Sequence, residues 1–327
     1  MLEDERLDDG PMEAQHVRWI PSSLLDLSPL EPVFALRTPR RIYLQAMPSS
    51  REALRALLQT QPFEISVEVD GDTAPLRHVP LQDVHEVRLA PDLALPWGHF
   101  YWIADGLQDD LAAAGDNPGA GLAQGRHRLA VVEETLRSWR GRSPCELQVL
   151  CEAWESKKAI DDLGLEGEHL PSAPDYALQL TNHLVTRTGS PAFAEWMADL
   201  ARTAGSNRAW SFPQLSRAER QLLESYLQHR TLGNVALASP TGMIAGWHLL
   251  LSMALLGVWY AGLLVHAEYE HDLDEALVAS LWMLDQGFWC DESLVHDTLR
   301  HLHAKGHTEP ALAQVLSASL AGAPTRT

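Results

Sequence analysis

Acidic and histidine side chains are concentrated in one short stretch of the chain, HAEYEHDLDE, residues 266–275. Within it, Glu268-Tyr-Glu-His271 has the i, i+3 spacing with which helical di-iron sites hold their metal. Such sites need this motif twice, together with two further carboxylates. The other copy, Glu166-Gly-Glu-His169, lies in a glycine-containing segment that does not predict a helix. The pattern therefore favours a solvated acidic helix end over a di-iron site.

A second group of histidines follows about 25 residues later. His296, Arg300 and His303 recur at i, i+4 and i+7, so they share one flank of a predicted helix. Zinc needs three or four converging ligands. As an alternative to an exposed flank, we consider that His266, His271 and His296 converge on a divalent metal.

Basic residues are missing from a long part of the chain that is rich in acids. Residues 231–299 contain no Lys or Arg, and nine acids lie between Glu268 and Asp297. Carboxylates attract Lys- or Arg-bearing partners, and aromatic side chains serve as anchors in peptide-binding grooves. We therefore predict a groove that binds a basic protein or peptide and is lined by Glu268, Glu270, Asp272, Trp259 and Trp282.

The apolar stretch 243–265 is long enough to cross a bilayer, since 23 residues of helix span roughly 35 Å. It lacks the basic flanks that normally anchor a membrane span, and it continues into the acids at 268–275. A helix that is apolar on every side is also typical of the centre of a large helical domain. We predict such a buried central helix, and no membrane span.

The order of patterns along the chain predicts an α+β protein. Short alternating stretches at 40–47, 63–69 and 85–91 predict strands, and a serine-capped pattern at 49–60 predicts a helix. From residue 126 onward the pattern is helical, with a capping box from Ser216 to Glu219. We predict a small mixed domain at 1–114, a glycine-rich linker at 115–125, an all-α domain at 126–320 and a disordered tail at 321–327.

Composition narrows the classes of function. The chain has 327 residues and a formal net charge of −19, which disfavours binding to nucleic acid or anionic lipid. The first ten residues lack the basic and apolar regions of a signal peptide. Three cysteines, Cys145, Cys151 and Cys290, do not indicate a disulfide framework. We predict a cytoplasmic protein of bacterial type.

The order of elements from about residue 222 to 318 resembles a known family. LLESYLQHRTLGN is followed by the apolar helix, then by LDEALVASLWMLDQ, and then by LVHDTLRHLHAKGHTEPALAQVLSA. This succession resembles the C-terminal helical region of bacterial flagellin lysine-N-methylases, and it covers under a third of the chain. The family's dense Cys-x-x-Cys-Cys cluster has no counterpart here, so no metal ligand carries over. The resemblance implies a helical scaffold and the binding of a protein substrate.

Two enzymatic alternatives stay open beside the interaction role. The resemblance implies an S-adenosylmethionine-dependent methylase acting on protein lysine, although no glycine-rich strand-to-helix turn marks a donor site. The histidines and carboxylates allow a metal-dependent enzyme. The favoured expectation is a binding protein without a cofactor.

Overall fold

The computed structural model describes residues 17–19, 30–39, 41–60, 63–68, 79, 81–139, 147–155, 172–206, 212–233, 236–305, 313 and 317–320. Strands occupy the N-terminal part of these residues and helices occupy the rest, so the predicted α+β class is confirmed. Cys145 and the predicted tail at 321–327 lie outside the described residues.

A five-stranded mixed sheet forms the first layer. Its strands are β1 (Val17–Trp19), β2 (Leu30–Arg37), β3 (Arg41–Pro48), β4 (Phe63–Glu68) and β5 (Leu81–Asp83), in the order β1-β4-β3-β2-β5. The two outer pairings are parallel and the two inner ones antiparallel. Helix α1 (Arg51–Leu58) follows β3, and its first turn is capped by the Ser50 hydroxyl, which accepts a bond from the Ala53 amide. The predicted strands at 40–47 and 63–69 and the predicted helix at 49–60 are thus confirmed.

A short hairpin precedes the helical region. It consists of β6 (Val87–Ala90) and β7 (Leu93–Leu95). The helices that follow are α2 (Trp97–Ala114), α3 (Pro118–Ser138), α4 (Leu147–Trp154), α5 (Ala173–Arg187), α6 (Pro191–Ser206), α7 (Arg217–Leu232), α8 (Met243–His266), α9 (Leu273–Leu284) and α10 (Glu292–Ala304). A π-helical turn, Asp285–Trp289, extends α9. The predicted capping box at Ser216 and Glu219 is present at the start of α7.

Helix α8 lies at the centre of the helical layer. It contacts α3, α5, α6, α7, α9 and α10 and also strand β6. Among the described residues it is the one helix long and apolar enough to span a bilayer, and 94% of its apolar window is buried in the protein. Since other helices surround it on all sides, it needs no polar face, and its packing matches the predicted central helix.

The glycine-rich segment at 115–125 differs from the predicted linker, because most of it is helical. Only residues 115–117 connect two helices, because α3 begins at Pro118. A Cβ on Gly125 would lie 2.5 Å from the indole of Trp247, whose Nε1 donates to the Leu122 carbonyl at 2.9 Å. Gly125 therefore lets α8 approach the surface of α3. Composition alone cannot distinguish such a packing surface from a flexible connector.

The predicted boundary between two domains remains a prediction. One hydrophobic cluster includes Leu36 and Leu54 from the sheet and α1 together with the side chains of the central helices. Strand β6 packs on α8, and α1 packs on α9. The N-terminal layer thus contacts the elements that carry the predicted site residues.

Candidate functional site

The acids that follow α8 lie in a turn and in the first turn of α9. We call residues 268–275 the acidic turn. Glu268 has a φ of 60°, and the amide of Tyr269 donates to the Leu264 carbonyl at 2.9 Å, which turns the chain away from α8. Asp272 caps α9, because its Oδ1 accepts a bond of 2.8 Å from the Glu275 amide. Local geometry therefore holds the carboxylates at the protein surface.

Two arginines on successive turns of α1 reach the acidic turn. Arg51 pairs with Glu270 at 2.7 Å, and Arg55 pairs with Asp274 at 2.7 Å and with Glu275 at 3.0 Å. Burial lowers the pKa of Arg55, but Asp274 and Glu275 outweigh it, and the net pKa is raised. The sequence pattern at 231–299 could not reveal these two arginines, because they lie more than 200 residues before the acids that they contact.

The two tryptophans of the predicted groove have different positions. Trp282 is half-buried on α9, and the Arg51 guanidinium lies 5.9 Å from its ring centre. Trp259 is only 1% exposed and packs beside Tyr260 in the core, so its ring does not lie at the surface with the acids. An all-apolar helix carries no pattern that separates its surface residues from its core residues.

An aromatic residue outside the predicted groove, Tyr269, is exposed instead. Tyr269 is 61% exposed, and the other exposed large hydrophobic residue of the described chain is Leu81. The Tyr269 hydroxyl donates to Asp199 Oδ2 on α6 at 2.9 Å, which holds the ring in place. The sequence signal for Tyr269 was an aromatic residue within a dense run of acids. Whether its ring is exposed depends on the conformation of the turn.

The candidate metal ligands do not form a site. His266 and His271 are exposed at the end of α8 and in the acidic turn, and His296 is half-buried on α10. Within the described residues, no three His, Cys, Asp or Glu side chains are placed to hold a metal ion. The structure thus does not bring His266, His271 and His296 together, and their role as a ligand set stays a prediction. Cys151 and Cys290 form no disulfide.

The closest histidine contact on α10 involves a different residue. His301 stacks on His183 of α5, with ring centroids 4.0 Å apart. Burial and then the neighbouring His301 lower the pKa of His183 to about 4. Burial also lowers the pKa of His301, which favours the neutral form of both rings, and neutral rings stack without charge repulsion.

A buried polar group surrounds the π-helical turn. Asp285, fully buried, accepts a bond of 2.8 Å from the Tyr226 hydroxyl and forms an ion pair with Arg230. Trp289 Nε1 donates to the same hydroxyl at 3.1 Å. Tyr226 and Arg230 thus stabilise a charge that would be unfavourable alone in the core.

A cavity of about 290 Å³ lies on another side of the central helix. It opens between the β6–β7 turn, α3, the start of α8 and the end of α10. Its polar lining consists of Asp92, Arg126, Glu133, Arg137, Thr241 and His303. Of these residues only His303 stands out in the sequence, in the flank that it shares with His296 and Arg300, because the lining comes from four separate elements.

No protein-family model, curated protein or solved structure matches this chain. The resemblance of residues 222–318 to flagellin lysine-N-methylases therefore stays a prediction.

Proposed function

We propose that this protein binds a basic segment of a protein partner at the acidic turn. The observation that carries the proposal is the exposed ring of Tyr269, held by Asp199 among carboxylates. Rigid, exposed aromatic residues are the usual anchors of protein interfaces, since their burial gains much area for little lost freedom.

Charge at this surface favours a cationic partner. The acidic turn contains five carboxylates, those of Glu268, Glu270, Asp272, Asp274 and Glu275, and α1 supplies two guanidinium groups. The excess of acids leaves Glu268 and Asp272 facing solvent beside Tyr269. Carboxylates next to an aromatic ring suit Lys and Arg, which form both ion pairs and cation–π contacts.

The contact between Arg51 and the acidic turn supports the same chemistry. Its guanidinium pairs with Glu270 and lies over Trp282, so a carboxylate and an indole already accept a basic side chain within the molecule. Of the predicted groove residues, Glu268, Glu270, Asp272 and Trp282 are retained in this proposal. Tyr269 takes the place of Trp259.

Binding of a labelled peptide of repeated Lys-Arg-Ala units to the full chain tests the proposal by fluorescence anisotropy. Tyr269→Ala should weaken binding by about tenfold, as expected for an interface anchor. Glu268→Lys should weaken binding and also reduce its dependence on salt. Glu152→Lys on α4 is the control, because it changes the net charge equally at an exposed site outside the acidic turn. Equal affinities for wild type, Tyr269→Ala and Glu268→Lys would refute the proposal.

A further inference from the structure

The stacked histidines join α5 to the second half of α10. The rings of His183 and His301 have centroids 4.0 Å apart and planes 19° from parallel. Both side chains are half-buried, and His301 lies in the last turn of α10. Beside it, Leu299 and Leu302 of the same helix are 1% and 0% exposed. The pair therefore adjoins the apolar contact that holds this half of α10 on the helices beneath it.

The immediate surroundings of the two rings suit neutral imidazoles. The Nε2 atom of His183 is buried, and no hydrogen-bond acceptor in the described part of the chain reaches it. A proton on this atom would create a buried N–H donor without an acceptor, which is unfavourable. A second proton on His301 would place two positive rings 4.0 Å apart, where they repel each other.

The charged groups next to the pair come from α5 and α10. Asp297 is the carboxylate that favours the charged form of both histidines. It already pairs with Arg187 at 3.5 Å and with Arg300 at 3.1 Å. Lys305, after the end of α10, disfavours a charge on His301. The cations around the pair thus outnumber the carboxylate that they share.

Other described elements packed against α5 and α10 supply no carboxylate that is buried and free to pair with the rings. Helix α8 contains no Asp, Glu, Lys or Arg. Asp285 of the π-helical turn forms its ion pair with Arg230. On α6, Asp199 pairs with Arg202, and Glu195 is exposed to water.

Proton uptake is therefore coupled to the position of α10. Burial and then His301 lower the pKa of His183 to about 4, and burial and then Lys305 lower the pKa of His301. In water, a histidine titrates near about 6.5. The separated rings take up protons first as the pH falls. The stacked contact is fully favourable above about pH 6.5 and is weakened as the pH falls towards about 4.

We propose that His183 and His301 form an acid-sensitive latch, which releases the second half of α10 from α5 in mild acid and exposes Leu299 and Leu302. At neutral pH the uncharged rings stack again and the apolar side chains are covered. The latch is separate from the acidic turn and does not depend on the function proposed there.

Hydrogen exchange of the full chain, followed by mass spectrometry at about pH 7.5 and about pH 5, tests the proposal. Protection factors are compared, because they correct for the effect of pH on the intrinsic exchange rate. In the wild type, the protection of residues 297–304 should fall at least roughly tenfold in acid. The protection of α9 should fall less, since α9 does not contain the latch.

Replacement of both histidines by phenylalanine, His183→Phe with His301→Phe, keeps two aromatic rings in contact and removes both titrating groups. In this double variant, the protection of α10 should be equal at the two pH values. His303→Gln is the matched control, because His303 is exposed on the same helix and outside the stacked pair. This variant should respond to acid as the wild type does.

Four results would overturn the proposal. They are unchanged protection of α10 in the wild type in acid, an equal loss in the double variant, loss of the response in His303→Gln, and an equal loss in α9 and α10 of the wild type. The last result would indicate unfolding of the helical region as a whole. Since the first and last are measured on the wild type, the test does not depend on how well the double variant folds.

Discussion

Arg51 and Glu270, separated by 219 positions in the chain, form an ion pair of 2.7 Å that joins α1 to the acidic turn. The Arg51 guanidinium also lies over the ring of Trp282. A surface that the sequence presents as purely acidic is therefore partly covered by the protein's own basic side chains. The contact lowers the net negative charge of the acidic turn.

Removal of Arg51 should make the acidic turn more attractive to a basic partner. We expect Arg51→Gln to tighten binding of the Lys-Arg-Ala peptide by roughly two- to fivefold at low salt, because one competing charge is lost. Its loss of stability should be below about 1 kcal/mol, as for other exposed ion pairs. Fluorescence anisotropy and urea unfolding measure the two effects.

Arg217→Gln is the control for that substitution. Arg217 forms an exposed ion pair of 3.1 Å with Asp116 and carries the same charge. If both variants tighten binding equally, net charge rather than the contact at Glu270 governs affinity.

Substitution of Gly125 tests whether the glycine-rich segment is a packing surface. In Gly125→Ala, the new Cβ would meet the Trp247 indole at 2.5 Å and Leu107 at 2.9 Å. We expect a loss of about 1 to 3 kcal/mol in the free energy of unfolding, as for overpacked cores. Gly189→Ala is the control, because the nearest atom to its Cβ is 3.7 Å away. In a flexible linker the alanine would be neutral or stabilising, so equal stability of the two variants would contradict the observed packing.

The buried ion pair of Asp285 and Arg230 should be required for stability. Asp285→Asn leaves the Arg230 charge in the core without its counter-charge, and we expect a loss of about 3 to 5 kcal/mol in urea unfolding. A double variant, Asp285→Leu with Arg230→Met, removes both charges and should be less destabilised than Asp285→Asn. A double variant at least as unstable as the single one would show that packing, not the unpaired charge, dominates.

Histidine burial should make the protein less stable in mild acid. Burial, and then the neighbouring Arg230, lower the pKa of His229 to about 4, whereas an unfolded histidine titrates near about 6.5. The unfolded chain binds the proton first, so the contribution of His229 is fully present above about pH 6.5 and is lost as the pH falls towards about 4.

The effect of His229 can be isolated by substitution. Between about pH 7 and 4, the stability advantage of wild type over His229→Gln should shrink by about 2 to 3 kcal/mol. Urea unfolding at several pH values measures it. His271→Gln, at an exposed position of the acidic turn, is the control for the removal of one histidine. A constant difference between wild type and His229→Gln over this range would exclude the predicted linkage.

Local patterns were sufficient wherever a structural element depends on its own residues. Ser50 and the apolar spacing after it predicted α1, and Ser216 with Glu219 predicted the start of α7, because capping involves residues only three apart. The uniform apolar character of 243–265 predicted a buried helix. Its missing basic flanks pointed in the same direction.

Tertiary structure decided everything that depends on distant residues. Trp259 and Trp282 are equivalent in the sequence, but only the arrangement of helices around α8 buries Trp259 and leaves Trp282 beside Arg51. The cavity also depends on the tertiary structure, because Arg126 of α3 and the start of α8 line it together. Side-chain exposure and ion pairing are properties of the packed molecule, since they depend on which surfaces meet. Periodicity and capping report only the neighbours along the chain.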